Sequence, residues 1–124
     1  MRNHKEKGFS LIELLIVVAI ILIIAAIAIP NLLRSKMAAN EASAVASLRT
    51  LNTTIVAYST TYGTDPAAIS NLGPATTPSS TTADLIDSLL ATGTKSGYTF
   101  TYTAGTATAG VISSYTTVAA PTGT

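Results

Sequence analysis

Side chains that commonly carry catalysis or bind metals are scarce in this sequence. Its 124 residues contain no cysteine, which excludes disulfides, thiolate zinc sites, iron–sulfur clusters and cysteine nucleophiles. The single histidine, His4, lies near the N-terminus among charged residues, so a Ser-His-Asp triad or a two-histidine metal site has no support. We therefore predict that the chain is not an enzyme and that it has no catalytic, metal or cofactor site.

One carboxylate, Glu13, stands at an unusual place. It begins a strongly apolar run, in which residues 14–29 (LLIVVAIILIIAAIAI) include no polar side chain. A carboxylate at the centre of a membrane-spanning helix costs about 2.5–3.5 kcal/mol, and less near an end, so such a group normally has a partner. These residues alone leave two interpretations open. Glu13 either lies at headgroup level, where water and the helix dipole satisfy it, or it pairs with a cation.

The apolar run is long enough to cross a membrane. Counted from Phe9 it has 21 residues, or about 31 Å of helix, which matches the hydrocarbon core of a bilayer. The basic stretch MRNHKEKG precedes it and has the outline of a targeting leader. The positive-inside rule leaves this N-terminus in the cytoplasm, although Arg34 and Lys36 on the far side weaken that prediction. We expect a leader over residues 1–8 and a membrane-spanning segment over 9–30.

A second helical pattern follows Pro30. Apolar side chains recur there at helical spacing, which predicts an amphipathic second half over residues 31–62. We therefore expect one long helix from near Phe9 to about Tyr62. A bend is expected at Pro30, because proline removes a hydrogen-bond donor and clashes with the preceding turn. The apolar positions that define the pattern are Val45, Leu48, Ile55, Tyr58 and Tyr62.

Residues 63–124 predict a small globular head that is rich in threonine and serine. Gly63 is a natural end for the long helix, and an irregular connector is expected to follow it. Residues 83–91 (ADLIDSLLA) predict a short amphipathic helix. The alternation of aromatic residues and threonine in YTFTYT is typical of a half-buried strand, and we expect a hairpin over residues 98–119.

The head is too small to be stable by itself. Its 62 residues offer few large apolar groups, and a core of that size is marginal. We therefore expect the strands to pack on the second half of the long helix through Ile55, Tyr58 and Tyr62. The predicted fold class is α+β, with a long N-terminal helix packed against a small C-terminal antiparallel sheet.

The junction between leader and apolar run resembles a known processing signature. Gly8-Phe9-Ser10-Leu11-Ile12-Glu13 is similar to the N-terminal methylation signature of type IV pilins and type II secretion pseudopilins, and GFSLIELLIVVAIILIIAAIAIP resembles that family's N-terminal helix. The resemblance implies cleavage after Gly8 and N-methylation of the new terminus, Phe9. It also implies that Glu13 is the assembly residue, whose carboxylate neutralises the α-amino group of a processed Phe9. Pro30 matches the proline at which the family's helix bends.

The resemblance also implies a function and a set of partners. It predicts a structural subunit, the major pilin of a type IV pilus filament, which is a helical homopolymer. The implied partners are a prepilin peptidase and methyltransferase, an inner-membrane assembly platform with an ATPase, and the lipid bilayer before assembly. The precursor would lie in the inner membrane with a cytoplasmic N-terminus, and the assembled subunit in an extracellular pilus. A formal net charge of +1 gives no basis for specific nucleic-acid binding.

The sequence leaves other functions open. A pseudopilin of a type II secretion system and a minor pilin share the same N-terminal signature, and an uncleaved single-span membrane anchor is a further alternative. The chain also departs from the family pattern, since Leu22 stands where many members have a glycine. The helix before Pro30 often loses hydrogen bonds in the fibres of this family, and we do not extend that expectation to this chain. Without cysteines, the chain also lacks the C-terminal disulfide loop of many pilins.

Overall fold

The structure, a computed structural model, describes residues 8–122 and has the α+β architecture expected from the sequence. Residues 1–7 of the predicted leader, including His4, lie outside this range. The chain divides into two compact units, Met1–Ala38 and Ala39–Thr124. The elements in chain order are α1 (Leu11–Tyr62), a 3-10 turn (Ile69–Leu72), α2 (Ser88–Thr92), β1 (Thr94–Lys95), β2 (Tyr98–Ala104) and β3 (Tyr115–Pro121).

The described part of the first unit consists mainly of helical residues whose apolar side chains have no protein cover. From Leu11 to Ile29 the large aliphatic side chains remain between 44% and 73% exposed. No residue of the most apolar stretch is buried, and its length and composition suffice to cross a membrane. A soluble helix with this composition would be covered by protein, so the exposed surface needs lipid or other helices around it.

The second half of α1 supplies one wall of the hydrophobic core. Its buried side chains follow one another at helical spacing and are Ala44, Ser47, Leu51, Ile55 and Tyr58. Leu48 and Tyr62 are partly buried against the same cluster, as their spacing predicts. Val45 is 44% exposed, so its assignment to the buried face was wrong. Small Ala44 and Ser47 occupy that face instead, because they let the head approach the helix closely.

The sheet packs its aromatic residues inward, as the alternating pattern predicts. In β2 Phe100 is buried, Tyr98 and Tyr102 are half-buried, and the threonines between them face solvent. β2 pairs antiparallel with β3 from Tyr98↔Pro121 to Ala104↔Tyr115. β2 and β3 thus form a hairpin in the region where the sequence predicts one over residues 98–119, and its second strand runs from Tyr115 to Pro121.

A third strand, β1, was missed by the sequence analysis. Lys95 pairs with Tyr98 across a two-residue turn made by Ser96 and Gly97. Both turn residues have positive φ angles, of 53° and 75°, as tight hairpin turns require. The Ser-Gly dipeptide between two β-compatible segments is the signal that could have predicted it.

The predicted helix over residues 83–91 was wrong at its start and close at its end. The helix α2 covers only Ser88–Thr92. Upstream, the backbone N–H groups of Ala83, Leu85 and Ile86 donate to carbonyls of residues 71 and 72 rather than to a helix of their own. Asp84 has a φ of 56°, which a right-handed helix excludes. Ala83 and Ile86 of this irregular segment are buried in the core, as is Leu90 of α2, whereas Leu85 is exposed.

Two tyrosine hydroxyls attach the irregular connector to the regular elements. Tyr58 of α1 donates to the Ser80 carbonyl at 2.6 Å, and Tyr102 of β2 donates to the Pro66 carbonyl at 2.6 Å. Gly63, with a φ of 74°, ends α1 as expected and donates to the Ser59 carbonyl at 2.8 Å. The connector is therefore fixed at several points, although its only regular element is the 3-10 turn.

Candidate functional site

The start of α1 is organised by a reciprocal contact between Ser10 and Glu13. The Glu13 backbone N–H donates to the Ser10 Oγ at 3.2 Å, and the Ser10 hydroxyl donates to the Glu13 Oε1 at 3.1 Å. The Ser10 carbonyl accepts the first helical bond, from the N–H of Leu14, at 3.1 Å. Ser10 thus caps the helix, and Glu13 lies in its first turn, where the positive end of the helix dipole favours a carboxylate.

Ser10 is the residue of this site that the sequence analysis passed over. A serine followed three residues later by glutamate, at the start of an apolar run, is the known spacing of a helix cap. Here the glutamate reaches back to the serine hydroxyl. The Glu13 carboxylate is therefore held by its own helix and is also exposed, so a cation from outside the chain can reach it.

The two residues before Ser10 are open to their surroundings. Phe9 is 82% exposed, and a β-carbon at position 8 would meet no atom of the described chain within 4 Å. Nothing in the described part of the fold therefore requires glycine at position 8 or phenylalanine at position 9.

Pro30 lies inside α1, and the helix continues through it to Tyr62. Proline has no N–H, so it cannot donate to the carbonyl of Ala26, and the helix loses one hydrogen bond at that point. The bend that we predicted at Pro30 stays a prediction, because the position of the proline within a continuous helix does not by itself define an angle.

Two ionisable groups of the head, Asp87 and Tyr102, have structural partners. Asp87 accepts from the Leu90 N–H at 2.7 Å and binds the Lys95 Nζ at 2.7 Å. These contacts lower the pKa of Asp87 below its usual value, and the hydrogen bond from Lys95 has the largest effect. Burial, and then the charge of Asp65, raises the pKa of Tyr102 to about 12, so its hydroxyl stays a donor. Residues 8–122 contain no grouping of three acidic or histidine side chains able to hold a metal ion.

These features define a class of protein. Along the described chain, an open Gly-Phe junction comes first. It is followed by an apolar helix with exposed side chains and an accessible carboxylate in its first turn, and then by a small α+β head. A family model described as a prokaryotic N-terminal methylation motif matches residues 3–29, which include this junction and most of the apolar helix.

Two relatives match further along the chain. The type IV wide pilus major component PilA4 of Thermus thermophilus is 42% identical over 89 residues, which cover 69% of this chain and 66% of that protein. The type IV major pilin protein PilA of Myxococcus xanthus is 49% identical over 51 residues, covering 41% of this chain and 23% of that protein. The chain therefore spans slightly less than two thirds of the first relative and under a quarter of the second. No solved structure matches it significantly.

The chain belongs to the type IV pilin family. The motif, the relatives and the long helix with its three-stranded head agree on this assignment, which the junction residues predict.

Proposed function

We propose that this chain is the major structural subunit of a type IV pilus, made as a membrane-anchored precursor and assembled into a helical homopolymer. The observation that carries the proposal is the apolar half of α1, whose side chains are exposed and which lies largely within the residues that the methylation-motif model matches. Such a helix can be surrounded by lipid or packed among copies of itself. Transfer from the first environment to the second is what filament assembly requires.

We assign the processing steps to the open junction before α1. A prepilin peptidase would cut after Gly8, and the α-amino group of Phe9 would then be methylated. Two observations support access by such an enzyme: the space around Gly8 that the described residues leave open, and the 82% exposure of Phe9. The precursor would lie in the inner membrane with its N-terminus in the cytoplasm, and an assembly platform with an ATPase would extract it.

The assembly role belongs to Glu13 in this proposal. Cleavage creates a cation on Phe9, since an α-amino group titrates near 7.7–8.0. A carboxylate can enter an apolar fibre interior only when it is paired, and the cation of a neighbouring copy supplies the partner. Glu13 is exposed and accepts its side-chain hydrogen bond from nearby Ser10, so exchange of one polar partner for another is sterically open.

The direct test is the intact mass and N-terminal sequence of this protein in filaments sheared from cells. Abundant protein that begins at methylated Phe9 supports the major-pilin function. Cleaved protein that is confined to the membrane fraction would indicate a pseudopilin of a type II secretion system or a minor pilin. A chain that retains residues 1–8 in cells with an active peptidase would contradict the processing steps and leave a single-span anchor.

The role of Glu13 is tested by Glu13→Gln, which keeps the shape and removes the charge. We expect normal cleavage and membrane insertion, because neither step uses the carboxylate, and about a tenfold or greater loss of sheared filaments, because the α-amino cation of Phe9 loses its partner. Asp84→Asn, the same change at an exposed carboxylate of the head, is the matched control and should leave filaments intact. Wild-type filament yield from Glu13→Gln would overturn the assignment.

A further inference from the structure

Arg34 and Lys36 are two cations to which the proposed function gives no role. Both are exposed on α1 shortly after the apolar run, and their charge runs against the positive-inside rule for a chain with a cytoplasmic N-terminus. Within residues 8–122 the single ion pair joins Lys95 to Asp87, so neither cation has an ionic partner in that range. Each can therefore bind an anion from outside the described chain.

The position of the two cations along α1 places them at the level of lipid headgroups. In the proposed precursor residues 9–30 span the hydrocarbon core, and the polar layer of a bilayer adds about 5–7 Å on each side. At about 1.5 Å per residue, Arg34 lies about 6 Å beyond Pro30, and Lys36 about 9 Å beyond it. Long basic side chains can extend along a helix to the depth of the phosphates, so both charges reach the headgroup layer of the leaflet opposite to the N-terminus.

The side chains around the two cations suit the border between hydrocarbon and headgroups. Leu32, Leu33 and Met37 are exposed, so the apolar surface continues past the membrane-spanning segment and alternates with charge. With 3.6 residues per turn, Arg34 and Lys36 point about 200° apart, which is to nearly opposite sides of the helix. Each cation therefore meets its own lipid neighbours, and the two cannot share one small anion.

The local charge favours anionic over zwitterionic lipids. Residues 14–40 contain Arg34 and Lys36 but no acidic side chain. A guanidinium binds a phosphate through two parallel hydrogen bonds, and an ammonium attracts it as a point charge. A zwitterionic lipid also has a phosphate, but its own ammonium group offsets the negative charge. An anionic lipid keeps a net negative charge, which attracts both cations.

We propose that Arg34 and Lys36 bind the phosphate groups of anionic phospholipids in the leaflet opposite to the N-terminus. The two contacts hold the end of the membrane-spanning segment at a fixed depth, and they stabilise positive charge on the side of the membrane where the positive-inside rule disfavours it. The inference rests on the membrane-anchored precursor of the proposed function, and it does not require a filament.

The test measures which lipids bind the full-length chain. Wild-type protein is reconstituted in vesicles of equal amounts of phosphatidylglycerol and phosphatidylcholine, and the lipids that stay bound after mild detergent extraction are counted by native mass spectrometry. The double variant, Arg34→Gln with Lys36→Gln, should lower the ratio of bound phosphatidylglycerol to phosphatidylcholine by about fivefold or more. The basic leader is common to both proteins, so the change in the ratio reports residues 34 and 36.

Two controls separate the site from general charge. The double variant Arg34→Lys with Lys36→Arg keeps both charges and should keep the preference for phosphatidylglycerol. Arg49→Gln removes an exposed cation from the second unit, farther along the chain, and should leave the ratio unchanged. Inorganic phosphate should lower the ratio no more than chloride of the same ionic strength, because the bilayer holds a lipid phosphate beside the cations.

The outcomes separate this inference from the proposed function. Wild-type chain that does not insert into the vesicles would overturn both the lipid site and the membrane-anchored precursor. Inserted wild-type chain without a preference for phosphatidylglycerol, or a glutamine double variant with an unchanged ratio, would overturn the lipid site alone. A loss of the preference that is specific to inorganic phosphate would also overturn it, because the site would then select free phosphate.

Discussion

At the scale of single residues, Asp87 combines two functions that depend on its charge. Its Oδ1 accepts the backbone N–H of Leu90 and so caps α2, and its Oδ2 binds Lys95 on β1. Both contacts favour the carboxylate over the acid, which is why the pKa of Asp87 is lowered. One side chain therefore links a short helix to the edge of the sheet, and the link depends on pH.

The charge of Asp87 should stabilise the head at neutral pH but not in acid. A lowered folded-state pKa means that the stabilisation is complete above the unfolded-state pKa and disappears as the pH falls through the folded-state pKa. Asp87→Asn keeps a capping oxygen, so we expect it to be about 0.5–1 kcal/mol less stable than wild type at pH 7, an ordinary value for a pair this exposed. Chemical unfolding in detergent from pH 7 to about pH 2.5 should show the two proteins converging.

The partner residue supplies the check on this explanation. Lys95→Met removes the cation but keeps most of the side chain, and it should reproduce most of the loss at pH 7. A difference between wild type and Asp87→Asn that stayed constant across the pH range would mean that the ionised carboxylate is not its source.

At the scale of elements, α1 in the second unit has two different sides. Leu51 is fully buried, whereas Val56, five positions later, is 62% exposed. Leu51→Ala should therefore cost about 2–5 kcal/mol, because it removes apolar contacts and leaves a cavity. Val56→Ala should cost less than about 0.5 kcal/mol in the isolated subunit. Urea unfolding of the two variants in detergent measures the contrast, and equal losses would contradict the assignment of the core face.

The parts of the fold that follow from local pattern were predictable, and those that depend on distant contacts were not. The α1 termination at Gly63 and the inward aromatics of β2 follow from backbone preference and a period of two. The exposure of Val45 does not, because small Ala44 and Ser47 define the buried face only once the head packs there. The non-helical backbone at residues 83–86 depends in the same way on carbonyls at 71 and 72, which no local pattern reveals.

In the candidate site, too, some features were predictable from the sequence and others became visible only in the structure. The types and order of Gly8, Phe9 and Glu13 are visible in the sequence, and so is the Ser10–Glu13 spacing that predicts a cap. The open space around Gly8 could not be predicted from the sequence. It follows from the positions of the described neighbouring atoms, none of which would contact a β-carbon at this position.

At the scale of the whole molecule, the chain joins two units with opposite requirements for their surroundings. The buried core is made entirely of residues from the second unit, between Ala44 and Phe100. The second unit therefore hides its main apolar cluster from water. The described part of the first unit exposes an almost continuous aliphatic surface, and contact of such a surface with water is unfavourable. Membrane insertion of the first unit and folding of the second unit therefore depend on different residues. A substitution can weaken insertion without destabilising the head, or the reverse.

Ile20→Lys tests this independence. Ile20 lies in the middle of the apolar half of α1 and is 52% exposed, outside the core. A lysine there should cost about 2.5–3.5 kcal/mol of membrane insertion, so that much of the protein loses resistance to alkaline extraction from membranes. Unfolding of the head, followed in detergent by the tyrosine signal, should remain within about 0.5 kcal/mol of wild type. Ile20→Leu is the matched control for both measurements. A head destabilised as strongly as the membrane anchor would contradict the independence, because it would require Ile20 to support the core that lies in the other unit.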